Sequence, residues 1–125
     1  MTARKITLHC DIAVKDIACA AIRDYAHVAY PDGGSECAQV ARYTLLELAA
    51  DIDAGITGHS ETVEISKRPR IMLKAAFEFY FNRMDEAWGA TSTHQRRLFA
   101  ELLEEKTITT SDLQAAVVAD NSGVT

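Results

Sequence analysis

The sequence predicts a mainly α-helical fold with a minor β element, about five helices and one or two short strands, from three kinds of signal. Long segments repeat apolar residues every three to four positions, two short segments alternate with period two, and Gly, Pro, Ser and Asp punctuate the gaps. The 125 residues are the length of one domain, and 48% hydrophobic against 25% charged residues suits a packed core rather than a disordered chain.

From Arg4 to Cys10 the chain alternates, with Ile6, Leu8 and Cys10 on one side and Lys5, Thr7 and His9 on the other, as a half-buried strand requires. Val14, Ile17, Ala18, Ala21, Ile22, Tyr25 and Val28 then recur at helical spacing, predicting a helix from Ile12 to Ala29 that ends at Pro31-Asp32-Gly33-Gly34. Ser35 is placed to cap a second helix, with Glu36 in its first turn. Its apolar stripe is Cys37, Val40, Ala41, Thr44, Leu45, Leu48 and Ile52, and it should end near Asp53, before Gly55. Residues 55–61 have the composition of an exposed connection, and Thr62–Ser66 alternates as a second strand able to pair with the first.

Pro69 suits the first position of a third helix reaching Trp88, where its missing N–H costs nothing. Ile71, Leu73, Phe77, Tyr80, Phe81, Met84 and Trp88, flanked by Met72, Ala76 and Phe79, wrap most of that helix, so it should be largely buried in the core or in a dimer. Its narrow polar stripe is Arg70, Lys74, Glu78, Asn82 and Asp85. Thr91 or Ser92 would cap a fourth helix through Lys106, Ser111-Asp112 would open a fifth through Ala119, and residues 120–125 read as a flexible tail. The whole chain, 1–125, reads as one domain, with a strand-helix-turn-helix part over 4–53 and a helical part over 62–119. The two halves run in parallel order, with Thr7 and Thr62 offset by 55 residues and Ser35 and Ser92 by 57, but share too few identities to mark a duplication.

The formal charge of −5 argues against binding nucleic acid through a diffuse positive surface, so the distribution of cations matters more than the total. Residues 1–60 hold five basic and eight acidic side chains, whereas Lys67, Arg68, Arg70 and Lys74 gather within eight residues. These four are either an anion-facing patch or the solvated face of a helix start. No run of about 18 apolar residues is present and the first residues lead into a strand pattern, so the expectation is a cytoplasmic protein without a membrane partner. Cys10, Cys19 and Cys37 are odd in number and sit at core-like spacings, which predicts reduced, buried thiols. His9, His27, His59 and His94 are scattered, adjacent carboxylates such as Glu104-Glu105 do not converge on a helix, and phosphate loops and nucleophile elbows are absent from the sequence. No enzyme activity, metal or cofactor is therefore expected.

Over residues 4–53 the order of strand, helix, turn and helix resembles the ribbon-helix-helix family of DNA-binding proteins. The strand Lys5-Ile6-Thr7-Leu8-His9-Cys10 is similar to the family's ribbon, and Ala38–Leu48 is similar to its second helix. The resemblance implies a homodimeric DNA-binding regulator in which Lys5, Thr7 and His9 read base edges in the major groove. It also implies a phosphate held at the second helix's N-terminus, near Ser35 and Arg42. Lys67, Arg68, Arg70 and Lys74 would add phosphate contacts. The alternative is a small acidic helical inhibitor or adaptor of phage or mobile-element type, which occupies the surface of a host defence complex. Its candidate groups are Asp51, Asp53, Glu101, Glu104 and Glu105.

Overall fold

Strand β1 (Lys5–Cys10) is the middle strand of a three-stranded sheet of order β2-β1-β3, in a computed structural model that describes residues 4–122. Its alternation is the one expected: Ile6, Leu8 and Cys10 are buried, Lys5 is exposed, and Thr7 and His9 are half-buried. β2 (Thr62–Ser66) runs antiparallel to it, with Lys5 opposite Ser66 and His9 opposite Thr62. β3 (Thr107–Ile108) lies parallel on the other edge, pairing His9 with Thr107 and Cys10 with Ile108. The apolar pattern predicts a fourth helix through Lys106 and no strand after it. The helix instead ends at Leu102, the Glu104 and Glu105 N–H groups fold back onto Glu101 and Leu102 carbonyls, and Glu105 takes a left-handed φ of 66°.

Among the described residues five helices accompany the sheet: α1 (Ile12–Ala29), α2 (Glu36–Gly55), α3 (Arg70–Trp88), α4 (Thr93–Leu102) and α5 (Thr110–Ser122). The bounds of α1 and β2 are those the periodicity predicts, α2 runs on to Gly55, and Pro69 sits one position before α3 rather than inside it. α1 packs against both α2 and α3, and α4 against α5 and α3. Val14, Ala18 and Ile22 of α1, Leu45 and Ile52 of α2, and Leu73, Phe77 and Phe81 of α3 form one core with Ile6 and Leu8 of β1. Phe99 of α4 closes that core by packing on Phe77 and Phe81, at ring separations of 5.2 and 5.3 Å. No helix among the described residues is long and apolar enough to cross a membrane.

α3 is less buried than its composition suggests. Leu73, Ala76, Phe77 and Phe81 face the core, but Ile71 and Trp88, near its two ends, are 83% and 80% exposed. Its polar stripe is divided between two neighbourhoods. The Arg96 guanidinium of α4 donates to Glu78, Asn82 and Asp85 at 2.7–2.8 Å, which locks α4 onto the second half of the stripe and leaves Arg70 and Lys74 outside that network.

Carboxylates from distant parts of the chain satisfy two of the helix starts, those of α4 and α5. Asp11 Oδ1 accepts the Val14 N–H of α1, while its Oδ2 accepts both the N–H and the hydroxyl of Thr110, 99 residues away, at 2.6 and 2.7 Å. Thr109 and Asp112 cap each other's backbone N–H at the same helix start. Residues 120–122, expected as part of a flexible tail, continue α5, and Asp120 is buried. Its carboxylate accepts the His94 and Gln95 N–H groups at 2.8 and 3.2 Å, capping α4, and also meets both of those side chains. Such a partner 26 residues ahead leaves no local pattern in the sequence. Lys15, itself buried, donates to Asp53 at 2.8 Å and ties α1 to the end of α2. This bond holds the ammonium above its ordinary pKa despite the opposing effect of burial.

Burial alone would raise the Asp11 and Asp120 carboxyls, but the hydrogen bonds they accept outweigh it and hold both below the ordinary value of 3.8. A carboxylate with a depressed folded pKa contributes stability above its unfolded value and loses it as pH falls through the folded one. Urea titrations should therefore show stability declining as pH drops below 3.8, with a smaller decline in Asp120→Ala. At neutral pH that variant should be less stable by about 1–3 kcal/mol, since two helix N–H groups lose their acceptor. Phe81→Ala and Leu45→Ala, both deep in the core, should each cost roughly 2–5 kcal/mol in the same titration.

Candidate nucleic-acid interface

The pairing of β1 with β2 brings two parts of the sequence together at one end of the sheet. Lys5 lies opposite Ser66, and the Lys67 N–H donates to the Arg4 carbonyl at 3.0 Å, so Arg4 and Lys5 adjoin Lys67 and Arg68. The Arg70 N–H then bonds the Lys67 carbonyl at 3.1 Å, turning the chain into α3. Arg4, Ser66, Lys67 and Arg68 bound a surface hollow of about 430 Å³. Arg70 and Lys74 line another of about 250 Å³ with Ile71, Ala100, Leu103 and Glu104. Among the described residues, none of Arg4, Lys5, Lys67, Arg68, Arg70 and Lys74 has a carboxylate within 4.0 Å.

The start of α3 adds to this positive end. Pro69 offers no side-chain hydrogen bond to the helix, whereas α1, α2 and α4 receive side-chain oxygens from Asp11, Ser35 and Asp120. The partial positive charge of a 19-residue helix thus points into the basic cluster with no side-chain carboxylate capping it. Lys67, Arg68, Arg70 and Lys74 were legible as a cluster in the sequence. Arg4 was not, because its membership depends on strand register.

The other sequence candidates divide. Lys5, Thr7 and His9 do share the outer face of the sheet, but Thr7 lies opposite Glu64. The Thr7 N–H donates to Glu105 Oε1 at 2.7 Å on the β3 side, where β3 pairs with His9 and Cys10. Both edges of β1 are therefore engaged within the chain, and a ribbon made from β1 of two copies would have to displace β2 on one side or Glu105 and β3 on the other. Ser35 Oγ accepts the Ala38 N–H at 3.2 Å and serves as the cap of α2. Arg42 is held in the α1–α2 turn by Asp32 at 3.0 Å, the Tyr30 carbonyl at 3.4 Å and His27 at 3.0 Å. These two side chains organise a turn and do not join the basic cluster.

No protein-family model matches the chain, and no curated protein or solved structure matches it.

The acidic candidates are spread over several elements. Asp53 receives Lys15, Glu105 receives the Thr7 N–H, Glu101 and Glu104 each lie 3.9 Å from Lys106, and Asp51 is exposed on α2. The three thiols also differ from one another. Cys10 and Cys19 are buried as expected, and burial pushes their pKa values up to about 12 and about 11. Cys37, expected in the core, is exposed because the first turns of α2 extend past the packed body. A maleimide at neutral pH should accordingly modify Cys37 quickly and spare Cys10 and Cys19 until the chain unfolds, as mass spectrometry of the labelled peptides would reveal.

Proposed function

We propose that this chain is a non-enzymatic DNA-binding regulatory protein of the cytoplasm that grips the phosphate backbone with Arg4, Lys5, Lys67, Arg68, Arg70 and Lys74. The observation that carries this reading is that six cations, free of ion pairs among the described residues, are brought by the β1–β2 pairing and the Lys67–Arg70 turn to one end of the sheet and the first two turns of α3. In a chain of net charge −5, such segregation supplies the local positive field that phosphate contacts need. Thr7 and His9 extend from this end along the outer sheet face, where Lys5, Thr7 and His9 are the candidates for touching base edges. Glu64 and Glu105 stand on or beside that face and repel phosphate, so the backbone grip belongs at the basic end and not along the strands.

A second reading follows from the same segregation. With six of the thirteen Lys and Arg residues in the cluster, seven cations share the remaining surface and core with eighteen carboxylates. That excess suits an acidic inhibitor or adaptor that covers a basic partner surface, such as the nucleic-acid channel of a host defence complex.

The test is retention of fragmented duplex DNA on the immobilised protein across a salt series. Six phosphate contacts would give a slope of log affinity against log salt of roughly −5. Lys67→Ala with Arg70→Ala should weaken binding uniformly across sequences and make the slope shallower by about two contacts' worth, while Lys5→Ala and His9→Ala should alter sequence preference. No retention even at low salt would reject the DNA reading in favour of the protein-directed one.

A further inference from the structure

The predicted apolar stripe of α2 begins at Cys37, yet only its second half enters the core. Leu45 and Ile52 are at most 1% exposed, whereas Val40 is 64% exposed and Cys37 is exposed. A surface groove of about 650 Å³ opens beside this unpartnered half, between α2 and the junction of β2 with α3. Val40, Ala41 and Leu48 line it from α2, and Pro69 and Met72 from the opposite side. The polar groups at its margins carry opposite signs: Glu47 and Asp51 project from α2, and Arg68 stands across from them. Among the described residues none of these three is in an ion pair.

We propose that the groove receives the α2 helix of a second copy of this chain, giving a two-fold dimer. Charge complementarity selects that occupant. A two-fold contact sets the same surface against itself, and a groove with acids on one margin and a guanidinium on the other is complementary to its own rotated image. Arg68 of each copy then meets Glu47 and Asp51 of the other, around an apolar centre built on Val40, Ala41 and Met72. A partner of a single sign would satisfy one margin and repel the other. β1, as the middle strand, has no free edge with which to pair a second copy. The dimer does not depend on DNA being the ligand; it commits Arg68 to the groove and leaves Arg4, Lys5, Lys67, Arg70 and Lys74 to phosphate, so a dimer that binds DNA should show a salt slope shallower by about one contact.

Sedimentation velocity of the full chain across a concentration series tests the proposal. The wild type should pass from monomer to dimer, and Cys37, which lines the groove, should react more slowly with maleimide as the dimer forms. Val40→Lys and Arg68→Glu should each raise the dissociation constant roughly tenfold or more, with circular dichroism unchanged because both sites are exposed. Combining Arg68→Glu with Glu47→Arg and Asp51→Arg exchanges the signs and should restore the dimer. A wild type that stays monomeric throughout overturns the proposal. So does a dimer insensitive to Val40→Lys, or one that the sign exchange fails to restore. Cross-linking from position 40 to a different protein, with the purified chain monomeric, would give the groove another occupant.

Discussion

The carboxylate of Asp11 is the junction on which the rest of the architecture depends. It stands where β1 ends and α1 begins, accepts an N–H from the first turn of α1, and accepts two hydrogen bonds from Thr110 at the start of α5. β3 pairs with the last two residues of β1 immediately before it. One side chain thus fixes the start of the first helix and the start of the last, 99 residues apart. A neutral or shorter side chain could satisfy one of these helix starts but not both, because the two oxygens are used separately.

With that junction in place, the other polar contacts form a second layer of fastening around the aromatic core. Arg96 fixes α4 to α3 through three acceptors, Asp120 fixes α5 to α4, and Lys15 fixes α1 to α2. Each contact joins elements that also share apolar packing, so the charges select an arrangement that hydrophobic burial favours but does not uniquely specify. The basic end of the sheet has no such fastening. Five of its cations are exposed and Arg70 is half-buried, all without ion pairs among the described residues, while Arg42, Arg96 and Lys15 are committed internally, and this difference separates the candidate binding surface from structural charge.

Periodicity made β1, α1, α2, β2 and α3 legible within a residue or two, since each is long enough to repeat its pattern or is bounded by Pro, Gly or a capping Ser. Strand β3 has only two residues and was invisible on those grounds. The end of α4 was misplaced because Leu102 and Leu103 continue an apolar stripe while the backbone is already turning into Glu105. Burial at the helix ends was also misjudged: Ile71, Trp88, Val40 and Cys37 belong to apolar patterns whose packing stops before the helix does. As for the site, the run from Lys67 to Lys74 could be read directly, whereas joining Arg4 to it required the β1–β2 register, and excluding Arg42 required the contacts of the α1–α2 turn.

The placement of β3 and α5 also bears on how the fold is reached. The middle strand is made before either of its neighbours, but one of its edges waits for residues 107–108, and Asp11 waits for Thr110. During synthesis α1, α2, β2 and α3 can assemble around a β1 whose outer edge is still open, exposing the Thr7 N–H that Glu105 later occupies. An unpaired strand edge is a template for association with other nascent chains. Closing this sheet is therefore a late, long-range event whose loop-closure entropy falls on one step, and the interval before it is when a ribosome-bound chain would most need a chaperone.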